Sequence, residues 1–152
     1  MIKCIRTNSE NKDFRKLVEE LDAELRIVDG VDHSFYAQFN KIVGIKYVVV
    51  AYDEDQPVGC GAIKTYSPDA MEVKRMYVSS ARRVEGIATA ILKELEQWTV
   101  ELNCSMCVLE TGIKQPEAIG LYKKTGYKII RNYGQYENVK ISVCFAKILI
   151  SN

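Results

Sequence analysis

The stretch "MYVSSARRVEGIATAILKELEQW", Met76 to Trp98, decides the reading of this chain. It opens as the end of a strand. From Gly86 on, apolar residues recur at Ile87, Ile91, Leu95, Trp98 and Leu102, the spacing of a helix with one core-facing stripe. Between them stand two arginines, a glycine and an alanine. The first amides of a helix have no partner within it and carry partial positive charge. Small residues at Gly86 and Ala88 let an anion approach that backbone, and Arg83 adds a full charge. This is chemistry for a phosphate or pyrophosphate. The segment has no Walker "GKS" or "GKT" and no G-x-G-x-x-G, so neither common nucleotide loop applies. What stands there is R-x-x-G-x-A: Arg83, Val84, Glu85, Gly86, Ile87, Ala88.

The elements around it follow from periodicity. "IKCIRT" is a short strand. Phe14, Leu17, Val18, Leu21 and Leu25 mark a helix that Gly30 ends, and "HSFYAQFNKIV" continues as a second, shorter helix. "KYVVVAYDEDQPVGCGAIKTY" reads as two strands joined by a turn at Asp53 to Pro57, and "AMEVKRMYV" as a third. "MCVLET" is a buried strand after the long helix. "PEAIGLYKKTG" is a helix with proline at its start and Gly126 at its end. "YKIIR" and "ISVCFAKILI" close the chain as strands. The order is β-α-α-β-β-β-α-β-α-β-β. It predicts an α/β (α+β) fold: a mixed, mostly antiparallel sheet of about seven strands with about four helices on its faces. The β-α-β step from "MEVKRMYV" to "MCVLET" should be parallel.

Inside "MEVKRMYV" the apolar phase slips: Met71 and Val73 share one parity, Met76 and Val78 the other. A β-bulge would make that slip and free backbone groups for a ligand. A strand buried on both faces would make it too.

Composition bounds the rest. The 152 residues suit a single domain spanning the chain, 1–152, and a net charge of +1 gives no reason to expect nucleic acid or an anionic membrane as partner. The first residues carry no long apolar core, and no run is long enough to span a bilayer, so a cytoplasmic protein is expected. Five cysteines, an odd count, argue against a disulfide framework. "CSMC", Cys104 to Cys107, lacks a second pair to complete a zinc site and reads as small core residues. His33 is the single histidine, set in the polar stretch "DGVDHS", so neither a histidine-based triad nor a metal site is expected.

The segment Met76–Trp98 resembles the coenzyme A-binding motif of the GNAT superfamily of N-acetyltransferases, [QR]-x-x-G-x-[GA] between a strand ending in valine and a long helix. "QPEAIGLYKKTGYKII" is similar to that family's later motif, A-x-x-L-Y followed by G-[YF]. The resemblance runs from about Tyr47 to Ile150. Two residues depart from it: Ser80 stands where proline is common, and Gln115 where asparagine is.

The resemblance implies the acyl-CoA N-acyltransferase fold and transfer of an acetyl group from acetyl-CoA, as cosubstrate and without a metal, to a small-molecule or peptide amine. Cofactor contacts would come from Met76, Tyr77, Val78, the loop Arg83, Val84, Glu85, Gly86, Ile87, Ala88 and Thr89, and from Gln115 and Tyr122. The Met76 amide would serve as oxyanion donor, and Tyr122 as general acid to the sulfur. Tyr122 could also be a packed core tyrosine. Glu72 matches the family's base position, with Glu110, Glu137 or a water relay as rivals and a solvated strand glutamate as the plain alternative. Tyr133, Tyr136 and Glu137 could line the acceptor side or be turn residues, and Tyr36 with Phe39 could form its other wall. The acceptor is open, as is association into a homodimer. A sensor of the same fold that binds coenzyme A without catalysis would need the loop but not Tyr122.

Overall fold

The computed structural model describes residues 1–149; the expected end of the last strand at Ile150 lies outside them. Seven strands and four helices follow the expected order: β1 (Ile2–Thr7), α1 (Lys12–Asp29), α2 (His33–Ala37), β2 (Tyr47–Asp53), β3 (Gln56–Ser67), β4 (Ala70–Val78), α3 (Ile87–Glu101), β5 (Met106–Gly112), α4 (Pro116–Lys124), β6 (Lys128–Ile130) and β7 (Ser142–Ile148). The strands form one sheet in the order β1-β2-β3-β4-β5-β7-β6. Among the described residues only β4 and β5 pair in parallel, across the α3 crossover. No helix among the described residues is long and apolar enough to cross a membrane.

Strand alternation builds two cores. On one face α3 and α4 cover Val49, Ile63, Met71, Val73, Leu109 and Phe145. On the other, α1 lays Phe14, Leu17, Val18 and Leu21 over Val48, Val50, Cys60 and Ala62. Close approach of α3 requires a bare backbone in β3. A Cβ at Gly61 would lie 2.5 Å from Met76 Sδ and 2.9 Å from Ile91 Cγ2.

The second helix is shorter than the apolar spacing predicts. It stops at Ala37, and Phe39 and Asn40 continue only as turns, their amides bonding Tyr36 and Ala37 carbonyls at 2.9 and 3.2 Å. Ile42, Val43 and Gly44 then disfavour helix, Gly44 lying at φ 81°. Phe35, Tyr36 and Phe39 are held instead by Tyr136 from the connection between β6 and β7.

Candidate active site

The phase slip in β4 is a bulge. Opposite β3, Cys60 pairs with Tyr77 but Ala62 pairs with Lys74, so two steps on one strand face three on the other. Arg75 takes up the extra residue at φ 58°, a left-handed conformation that costs a non-glycine residue ~1 kcal/mol. Its side chain is held in place by an ion pair with Asp22 of α1, and the Cys60 thiol donates to its carbonyl at 3.5 Å. The bulge is why Met71, Val73, Met76 and Val78 all reach the α3 side.

β4 and β5 then part. Their pairing runs from Ala70↔Met106 to Glu72↔Val108 and stops. Beyond Glu72 the β5-facing edge of β4 has no strand against it. A cleft of about 120 Å³ opens there, lined by Val73 to Met76 of β4, Glu110 to Gly112 of β5, Gln115, Ala118 and Tyr122 at α4, and Leu21, Leu25, Asp29, Tyr36 and Asn40 from the α1–α2 side.

Three cleft-lining side chains carry a polar atom without a partner among the described residues: Arg75 through its buried Nε, Glu110 and Tyr122. Glu110 Oε2 is buried and bonds to nothing among the described residues. Burial pushes its carboxyl up to about 7, with Ser142 and Lys74 pulling it down and the charges of Glu72 and Asp29 adding to the rise. Tyr122 is 6% exposed, and its hydroxyl has no acceptor among the described residues. Burial, then the nearby Glu110 charge, raises it above the ordinary phenol range, so it keeps its proton at neutral pH. Strand parity sends Glu110 to the α1–α2 face, since Cys107 and Leu109 face α3, while Tyr122 comes from the α3–α4 core. The parting of β4 and β5 lets them meet. A Schellman turn fixes the end of α4: the Tyr127 amide bonds the Tyr122 carbonyl at 2.9 Å, and the Gly126 amide bonds Lys123 at 3.3 Å.

At the far end of β4, the loop before α3 is built as the sequence suggests, with one correction. Val84 and Gly86 take positive φ of 66° and 82°, and space around Gly86 is open. The first bond of α3 is from Ala90 to the Gly86 carbonyl, at 3.1 Å. The amides from Val84 to Thr89 therefore have no acceptor among the described residues, as an anion site requires. Arg83 does not offer a free charge. Its Nη2 binds both Glu24 oxygens at 2.8 Å and its Nε donates to the Val78 carbonyl at 2.9 Å. Arg83 ties the loop to α1 and β4. The Glu85 carboxylate pairs with Arg82 at 3.1 Å.

Other expected residues sit elsewhere. Glu72 is 9% exposed and does not line the cleft. Its Oε2 accepts the Tyr133 hydroxyl at 2.6 Å, and its Oε1 lies 3.5 Å from Lys74 Nζ. The Tyr77 side chain packs under α1, its hydroxyl donating to Glu20 at 3.2 Å, which leaves only its peptide group toward a ligand. Tyr133 and Tyr136 meet edge to face at 5.9 Å and do not line the cleft, and Glu137 is exposed. Of the expected acceptor residues, Tyr36 alone borders the cleft, its hydroxyl 2.9 Å from Ser142 Oγ. Asp29 also borders it and carries no sequence signal, since an acidic residue beside a helix-ending glycine is usually solvent-facing. The five cysteines are free, and the described residues contain no His/Cys/Asp/Glu group able to hold a metal.

The geometry agrees with what known proteins show. The model of the acetyltransferase (GNAT) family matches residues 12–127. The chain is 30% identical over 137 residues to the IAA acetyltransferase of Azospirillum brasilense, covering 88% of this chain and 89% of that one. It is 38% identical over 85 residues to Probable N-acetyltransferase 14 of Xenopus tropicalis, taking in 55% of this chain but only 41% of that relative's length. Among solved structures, the PaiA N-acetyltransferase of Thermoplasma acidophilum, crystallised in complex with coenzyme A, shares the fold with a TM-score of 0.73 at 16% identity, over 97% of this chain and 99% of that one.

Proposed function

This chain belongs to the acetyltransferase (GNAT) family, and on that premise we propose that it moves an acetyl group from acetyl-CoA to a primary amine, by direct attack in a ternary complex. The observation that carries the reading is that Glu110, whose buried Oε2 has no partner, and Tyr122, whose hydroxyl makes no hydrogen bond among the described residues, line one cleft where β4 and β5 part. The orphan amides of Val84 to Thr89 fit the pyrophosphate of the cosubstrate, and the open space at Gly86 admits it. The free edge of β4 suits the pantetheine arm.

When bound, acetyl-CoA supplies a thioester carbonyl carbon to which the acceptor nitrogen bonds as the carbon–sulfur bond breaks. The residues of this chain do the rest. Glu110 Oε2 takes the proton that the ammonium must lose and passes it to solvent. A carboxyl held at about 7 is well matched to that task near neutral pH. The Met76 amide, on the unpaired edge beside the bulge, donates to the carbonyl oxygen as charge gathers there. Tyr122 donates its proton to the departing sulfur and recovers one from solvent.

Glu110 takes the base role that the family resemblance gives to Glu72. Both Glu72 oxygens are engaged, one by Tyr133 and one by Lys74, so neither is free to accept a proton from an amine. The reading of the chain as a non-catalytic coenzyme A sensor does not account for the free Glu110 Oε2 and Tyr122 hydroxyl in one cleft. Incubation with acetyl-CoA and a panel of primary amines, read by thiol release, tests the proposal. Acceptor-dependent release is expected. Tight binding of coenzyme A with no release for any amine would favour the sensor.

A further inference from the structure

The α1–α2 wall of the cleft holds a carboxylate that this chemistry does not use. Asp29, the last residue of α1, is 5% exposed. It borders both the main cleft and a smaller one beside it, which Asp32, Tyr36, Gly112 and Lys114 also line. No cation or hydrogen-bond donor reaches its carboxylate among the described residues. Lys114, which lines the smaller cleft, pairs with Asp32 at 3.5 Å instead. Burial pushes the Asp29 carboxyl up; His33 and Lys114 pull against that and Asp32 adds to it. The end of α1 compounds the negative field, because the last carbonyls of a helix carry partial negative charge.

A carboxylate buried without a partner is costly to a fold. Here two carboxyls, Asp29 and Glu110, border one cavity; neither forms an ion pair among the described residues, and the chain's cations act on them only at a distance, His33 and Lys114 on Asp29 and Lys74 on Glu110. We infer that the acceptor carries two cationic centres, as an aliphatic diamine does, with one amine at Glu110 and Tyr122 and the other held as an ammonium by Asp29. An acceptor bearing its own carboxylate would meet two like charges there and be excluded. The inference rests on the amine-acceptor reading above, and its test separates the two.

The probes are 1,5-diaminopentane, n-pentylamine and 5-aminopentanoate, titrated calorimetrically into the wild type and Asp29→Asn at pH 8. In the wild type the diamine should bind at least about tenfold tighter than the monoamine, as expected of a charge-assisted hydrogen bond, with the aminopentanoate weakest. Asp29→Asn should shrink the diamine advantage to about twofold or less. Equal affinity for diamine and monoamine, no measurable diamine binding, or an advantage that survives Asp29→Asn would overturn the inference. Should Asp29→Asn fail to fold by circular dichroism, the wild-type ranking decides alone. Asp29-dependent diamine binding without thiol release would keep the subsite and sink the transfer reading. Release from monoamines with no diamine preference would do the reverse.

Discussion

Tyr133 donates its hydroxyl to Glu72 Oε2 at 2.6 Å, joining the β6–β7 connection to the middle of β4. The bond occupies the carboxylate that the family resemblance singles out as base, and Lys74 occupies its other oxygen. Glu72→Gln should therefore act on stability rather than on proton transfer. Loss of the charge should lower unfolding free energy by about 1–3 kcal/mol. The turnover number should stay within about threefold, against the ~10²–10⁴-fold typical of a lost general base. Denaturant melts and steady-state kinetics on the same preparation check both, and a loss of turnover at unchanged stability would return the base role to Glu72.

Most of the fold was legible because it rests on local signals. The helix stripe from Ile87 to Leu102, Pro116 at the start of α4 and the β4 phase slip each follow from a periodicity or a cap. The candidate site was half legible. The Gly86 loop and Tyr122 lie in motifs whose chemistry depends on neighbours in sequence. Which carboxylate is free depends on partners distant in sequence: Tyr133 sits 61 residues from Glu72. Arg83 could not be read as neutralised, because Glu24 is 59 residues away. Asp29 has no pattern at all; only the parting of β4 and β5 gives it a cavity to face.

The Gly86 loop makes a direct prediction about cosubstrate affinity. Gly86→Asp places a β-carbon on a backbone at φ 82° and a negative charge beside the amides proposed to hold pyrophosphate. Coenzyme A should bind at least about tenfold more weakly, the scale of a lost charged hydrogen bond. Titration calorimetry on a variant with wild-type circular dichroism measures it, and unchanged affinity would remove the loop from the site.

Tyr122→Phe removes a hydroxyl that has no acceptor among the described residues, so the fold should lose nothing and the melting temperature should hold. Turnover should fall by ~10²–10⁴-fold if the hydroxyl serves the departing sulfur. The Michaelis constant for acetyl-CoA should change little. A variant as active as the wild type, under conditions where acyl transfer limits the rate, would leave Tyr122 a packing residue.

Glu110 also links stability to pH. In the unfolded chain it titrates near the ordinary value of 4.5, in the fold at about 7. Between those values the folded state binds more protons than the unfolded one, so this group's contribution to stability falls as pH rises through the window. The loss is complete above about pH 7 and reaches at most ~3 kcal/mol. Glu110→Gln should accordingly gain stability over the wild type as pH is raised from 5 to 8, in paired denaturant melts. A difference independent of pH would mean that Glu110 is not held neutral by its burial.

The pH dependence of kcat/KM for the best amine acceptor tests the central claim most directly, measured for the wild type, Glu110→Gln and Glu72→Gln. The wild-type profile should rise through an enzyme pKa near that of Glu110, about 7, as the base loses its proton. Glu72→Gln should keep that limb, and Glu110→Gln should abolish it while coenzyme A affinity stays unchanged. A profile that keeps its limb in Glu110→Gln and loses it in Glu72→Gln would contradict the account.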